Sequence, residues 1–136
     1  MPKVKLDAID RGILRILQED GRITNVKLAK GVGISAPPCL RRVRALEEAG
    51  YISGYHAEVN AEALGFGVTV FALVGLDSQA EPDLLAFEKL AASWPLVREC
   101  HMLAGENDFL LKVTAEDWDS YKIFLETKLT KAPNVS

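Results

Sequence analysis

The sequence predicts an α+β protein. An amino-terminal three-helix, helix-turn-helix (winged-helix-like) domain is followed by a carboxy-terminal ferredoxin-like βαββα(β) domain whose last strand is missing or only begun. Three observations carry this reading. Apolar residues recur at helical spacing three times before residue 50, and after residue 67 the rhythm changes to strand, helix, strand, strand, helix. The sign of charge also divides the chain: residues 1–60 hold ten Lys/Arg against seven Asp/Glu, a net +3, and residues 61–136 hold six against twelve, a net −6. The expected organisation is therefore a first domain over 1–60, a linker over 61–67 and a second domain over 68–136.

Asp7–Asp20 (DAIDRGILRILQED) places Ile9, Ile13, Leu14, Ile16 and Leu17 on one stripe, with Asp7 as cap and Asp10 in the first turn. Asn25–Val32 is a short second helix, closed by Gly33 as a residue tolerant of left-handed backbone. A third helix is expected from about Ala36 to Ala49, with Gly50 ending it. Tyr51–Asn60 alternates apolar and polar residues and predicts a wing-like strand or pair of strands containing Tyr51. Ala61–Gly67 reads as a connection.

In the second half Val68–Leu76 (VTVFALVGL) is an unbroken apolar run that predicts a buried strand. Glu81–Ser93 is a helix that tolerates Pro82 in its first turn. Val97–Leu103 and Phe109–Thr114 are strands separated by a turn-rich AGEND loop, and Asp117–Leu129 is the last helix, with Asp117 and Asp119 capping and solvating it. A further strand could be starting at Pro133–Ser136. Trp94 and Trp118 are expected as packing anchors, and His101 as a core or interface residue.

At 136 residues, 49% hydrophobic and 26% charged, the composition is that of a globular protein rather than a disordered one. No apolar run approaches a membrane span, and MPKVKLDAIDRG lacks a signal-peptide core, so a cytoplasmic protein with no membrane partner is expected. Cys39 and Cys100 form no CxxC, and His56 and His101 have no metal-ligand spacing, so neither metal nor cofactor is expected.

The stretch ISAPPCLRRVRALEEAGY carries the chemistry. Gly33-Ile34-Ser35 makes a tight turn, Ser35 is a natural N-cap, and Pro37 and Pro38 fall where helical N–H groups lack partners anyway. At roughly 100° per residue, Cys39, Leu40, Val43 and Leu46 face the other helices, while Pro38, Arg41, Arg42 and Ala45 face outward and Arg44 sits at the margin. Such a helix fits the major groove of double-stranded DNA, its first residues reaching base edges and its arginines meeting guanine or phosphate. Ser35, Ala36, Pro37, Pro38, Arg41, Arg42, Arg44 and Ala45 are the expected contacts. From the pattern alone, a solvated face whose arginines pair with Glu47 and Glu48 stays open.

These residues go beyond a generic motif. Leu6-Asp7, Asp10, Asp20-Gly21-Arg22, Val32-Gly33, Cys39-Leu40-Arg41-Arg42-Val43 and Gly50 together closely resemble the DNA-binding module of the leucine-responsive/asparagine-regulator (Lrp/AsnC, "feast/famine") transcription factors of bacteria and archaea. The second half resembles that family's dimerising, amino-acid-binding domain. The resemblance implies a sequence-specific transcription regulator, a homodimer able to form tetramers or octamers, and an amino-acid effector. It also implies an effector loop of Gly-x-x-Asp-aromatic form, here Gly105-Glu106-Asn107-Asp108-Phe109. Backbone N–H groups near Gly105 suit a carboxylate and Asp108 suits an ammonium, although spacing alone equally describes an ordinary hairpin turn. An architectural DNA binder without effector fits the first half equally well. An enzyme related to haem-pathway decarboxylases does not, because the chain offers only two histidines and no nucleophile–base pair.

Overall fold

The structure, a computed structural model, describes residues 5–136. Residues 1–4, part of the expected first domain and of the stretch read for a signal peptide, lie outside the described residues. The chain divides into two compact units, Met1–Glu58 and Val59–Ser136.

The first unit contains α1 (Ala8–Glu19), α2 (Asn25–Val32) and α3 (Ala36–Glu48). Asp7 caps α1 through a reciprocal pair with Asp10: the Asp10 N–H donates to Asp7 Oδ1 at 2.8 Å and the Asp7 N–H to Asp10 Oδ2 at 3.2 Å. Thr24 Oγ1 caps α2 by accepting from the Lys27 N–H. Gly33, at φ 77°, ends it in the left-handed region, where its N–H and that of Ile34 return to the carbonyls of Lys30 and Ala29. That single left-handed residue reverses the chain into α3. Ile13, Leu28, Ala29, Cys39 and Leu46 form the buried core. At about 25 cal/mol per Å² of apolar surface removed from water, these side chains supply most of what holds three short helices together.

The expected wing-like strand over Tyr51–Asn60 does not form in this chain. Among the described residues the segment has no ladder partner, and all of it except Ile52 is exposed. The Tyr51 and Ile52 N–H groups both fold back to the Leu46 carbonyl. Alternation describes a strand only when another strand lies beside it.

The second unit is a three-stranded antiparallel sheet in the order β1–β3–β2, with β1 at Val68–Val74, β2 at Val97–Met102 and β3 at Phe109–Ala115. One face is covered by α4 (Glu81–Ala92), α5 (Trp118–Phe124) and a π-helical turn at Leu125–Leu129 into which α5 runs. The expected single helix to Leu129 thus changes its hydrogen-bond step, the Thr130 N–H reaching the Leu125 carbonyl. An aromatic chain organises the core: Phe87 lies 4.9 Å from Phe109 and edge-on to Trp94, which is edge-on to Phe124. Trp94 is an anchor as expected. Trp118 is not: it stands 66% exposed, touching Tyr121 edge-on.

β1 is half-buried rather than fully buried, because helices cover only one face of the sheet. The other face presents Thr69, Phe71 and Leu73 from β1, Leu110 and Lys112 from β3, and Glu99 and His101 from β2. His101 is exposed there and pairs with Glu99 at 3.0 Å, while Lys112 Nζ meets the other Glu99 oxygen at 3.3 Å. Near the end of β1, Val135 forms an antiparallel bridge to Leu76, the Ser136 N–H donates to the Gly75 carbonyl and the Asp77 N–H to that of Asn134. A fourth strand is thus begun. Among the described residues no helix is long and apolar enough to cross a membrane.

Candidate nucleic-acid interface and ligand loop

The start of α3 is assembled from three devices. Ser35 holds the extended N-cap conformation and its carbonyl accepts from the Cys39 N–H, but its hydroxyl makes no capping bond. Pro37 and Pro38 occupy the first turn. Asn25 Nδ2 donates to the Ala36 carbonyl at 2.9 Å, tying the beginning of α2 to the beginning of α3.

Cys39 and Leu46 are buried, whereas Ser35, Pro37, Leu40, Arg41, Arg44 and Glu48 are exposed. Ala36, Pro38, Arg42 and Ala45 are half-buried along the flanks. The outward row therefore runs Pro37–Arg41–Arg44–Glu48, and the expected row of Pro38, Arg41, Arg42 and Ala45 is corrected to it. Arg44 moves from the margin to the centre. Leu40, expected to pack inward, is 37% exposed. Residues on the borders of a helical stripe follow the neighbours they meet, which a helical projection does not contain. Among the described residues Arg41 and Arg44 form no ion pair, so neither pairs with Glu47 or Glu48.

Arg42 departs furthest from expectation. Its Nη1 lies 2.7 and 2.9 Å from the two Asp7 carboxylate oxygens and 3.1 Å from Asp10 Oδ1. The guanidinium is turned toward α1, with the side chain 33% exposed. Asp7 sits below its ordinary carboxylate range, held there first by the Asp10 N–H and next by Arg42. The sequence alone marks Asp7 as a cap and Asp10 as a first-turn acid, without this partner. The available signal was the position of Asp10, three, four and seven residues before Ile13, Leu14 and Leu17: an acidic side chain on an apolar stripe needs a cation.

In the loop between β2 and β3, Gly105 adopts φ 132°, a conformation other residues rarely hold, and an added Cβ would meet nothing within 4 Å. Gly105 and Glu106 are exposed and Asn107 is half-buried. Asp108 is turned inward at 9% exposure. Its Oδ2 accepts from the Leu76 N–H at 2.7 Å and from Gln79 Nε2 at 3.4 Å, while its own N–H donates to the Val74 carbonyl. Oδ2 of Asp108 thus anchors the loop. Asn107 Oδ1 and Ser136 Oγ both approach Gly75, at 3.8 and 3.2 Å from its ideal Cβ position, so loop, strand end and carboxy-terminal segment meet at one corner.

Both units match known families. Residues 6–53 match a family described as winged helix-turn-helix DNA-binding, and residues 69–136 match the Lrp/AsnC ligand binding domain. The chain is 59% identical over 133 residues to the leucine-responsive regulatory protein of Rhizobium meliloti, covering 98% of this chain and 85% of that one. It is 41% identical over 135 residues to the protein of the same name from Escherichia coli K12, covering 99% and 82%. Among solved structures, a transcriptional regulator from Neisseria meningitidis in complex with L-methionine superposes with a TM-score of 0.90 at 36% identity, covering 97% of this chain and 85% of that one. Escherichia coli AsnC superposes with a TM-score of 0.84 at 27% identity, covering 98% and 88%.

Proposed function

The chain belongs to the Lrp/AsnC family of transcriptional regulators, and from that premise we propose how this member reads DNA and senses its effector. It is a regulator with a DNA-binding and a ligand-binding domain, not an enzyme. The observation that carries the reading is the outward row of α3: Arg41 and Arg44 stand exposed and, among the described residues, form no ion pair, on a helix with a proline-stiffened start. The helix lies in the major groove of double-stranded DNA. Ser35, Ala36, Pro37 and Pro38 approach base edges, Arg41 contacts a base, and Arg44 contacts a phosphate, with Ala45 on the flank.

The protein works in the cytoplasm as a homodimer, and the sheet face bearing Phe71 and Leu73, each 62% exposed, is its dimer interface. Two copies of α3 then meet half-sites one or two turns of DNA apart, and dimers assemble further into tetramers or octamers. The effector is an amino acid, a class supported by the L-methionine complex of the Neisseria neighbour. Its carboxylate meets the backbone N–H groups beside Gly105, with Glu106 and Asn107 at the rim and Asp108 holding the loop.

Selection of bound DNA from a random pool, with and without a mixture of amino acids, tests this. A two-fold-related site whose enrichment changes with the mixture is the expected result. A pool that stays random overturns the DNA reading. A site enriched identically in both arms overturns the effector reading and leaves an architectural binder.

A further inference from the structure

Arg42 belongs to the DNA-reading helix yet spends its charge on its own protein. Its guanidinium bridges α3 to the first turn of α1, meeting carboxylates 35 and 32 residues away in sequence. The two partners differ in setting. The Asp7 side chain is 53% exposed, and that of Asp10 only 6%. A carboxylate as buried as Asp10 needs a cation beside it. Were Arg42 to swing out to a phosphate, Asp10 would remain buried and uncompensated, so DNA has little power to recruit this side chain. All three contacts come from Nη1, which meets both carboxylates at once through charge-assisted hydrogen bonds.

The geometry has a consequence for reading. Arg41 precedes Arg42 by roughly 100° around the helix and Arg44 follows it by roughly 200°. Holding Arg42 against α1 therefore leaves both of the others on the outward side. Cys39 and Leu46 anchor α3 in the core but are apolar and non-directional, and the Asn25 bond to the Ala36 carbonyl holds only its first residue, so these resist a small roll of the helix less than the Arg42 hydrogen bonds at mid-helix do. We propose that Arg42 is a positioning residue: tied to Asp7 and Asp10, it sets the roll of α3 so that Arg41 and Arg44 face the duplex, and it does not itself touch DNA.

The role rests on the proposed DNA-reading function, and the experiment separates the two. The full chain and its Arg42→Met, Arg42→Lys and Arg41→Ala variants are titrated with the site selected by the parent. The titrations run from about 50 to about 200 mM salt, at a temperature where circular dichroism shows every variant folded. The expected result for Arg42→Met is binding about tenfold weaker with an unchanged salt slope, with partial recovery in Arg42→Lys. Arg41→Ala, by contrast, changes the slope or relaxes the site without lowering the melting temperature. A slope for Arg42→Met lower by about 0.9 means that Arg42 neutralises a phosphate and overturns the proposal. A lower melting temperature with parental affinity at the assay temperature also overturns it, leaving Arg42 a purely structural residue. Should Arg42→Met not fold, Asp7→Asn removes the charge from the exposed half of the bridge while keeping a capping oxygen, and is judged by the same two criteria. A parent that binds no DNA is a different outcome: it removes the functional reading, and the positioning role falls with it.

Discussion

The Leu76 N–H donates to Asp108 Oδ2 at 2.7 Å, joining the loop between β2 and β3 to the corner between β1 and α4. The donor is a backbone group in a buried setting, and the acceptor is a carboxylate that also receives Gln79. The loop proposed to take the effector is thus tied to this corner by the Asp108 side chain as well as by its N–H, which donates to the Val74 carbonyl.

Asp108→Ala removes that acceptor and leaves a buried N–H unpaired. The expected loss is about 1–3 kcal/mol of stability. Asp108→Asn keeps an oxygen in place and should lose less. Chemical denaturation of both variants checks the order. Equal losses would mean that the Leu76 bond contributes nothing, and with it the anchor role.

Arg41→Ala and Arg44→Ala separate two kinds of contact. If Arg41 reads a base, its removal weakens the selected site by about 1–3 kcal/mol and relaxes the preference at one position. If Arg44 meets a phosphate, its removal weakens all sequences alike and lowers the salt slope by about 0.9. Fluorescence anisotropy on the selected site and a scrambled duplex, across a salt series, distinguishes them. Two variants with unaltered affinity and slope would refute the outward row as the interface.

Phe71→Glu and Leu73→Glu place a charge on the uncovered sheet face. Burying either parent side chain at an interface is worth roughly 1.5–3 kcal/mol, so each variant should weaken the dimer about 10- to 100-fold or more. Sedimentation equilibrium over a concentration series reports it. A dimer that survives both substitutions uses a different surface.

Acid stability follows from the caps. Asp7 and Asp117 both lie below their ordinary range, Asp7 through the Asp10 N–H and then Arg42, and Asp117 through the Ser120 N–H. A folded pKa lower than the unfolded one adds stability that is complete above the unfolded value. That stability is lost as pH falls through the folded value. Melting temperature should therefore hold steady down to about pH 5 and decline below about pH 4. Asp7→Asn, which does not titrate, should shrink the decline. An identical decline in parent and variant would show that Asp7 contributes nothing to it.

The sequence by itself determined the features that rest on near neighbours. The Asp7 cap, the Gly33 reversal, the prolines opening α3 and the positive-φ Gly105 are each decided within a few residues, where local sterics and hydrogen bonding suffice. The order of elements was legible for the same reason. Only the tertiary structure decided which side chains the reading helix could present. Arg42 looked like Arg41 until Asp7 and Asp10 arrived from α1, and Leu40 looked inward because a helical wheel does not show where neighbouring helices stop. Val68–Val74 looked buried because its composition is apolar, yet helices cover one face alone, and Tyr51–Asn60 looked like a strand with no strand to pair with. In each case the outcome depends on a contact made across the fold, and such contacts are properties of packing rather than of any short stretch of chain.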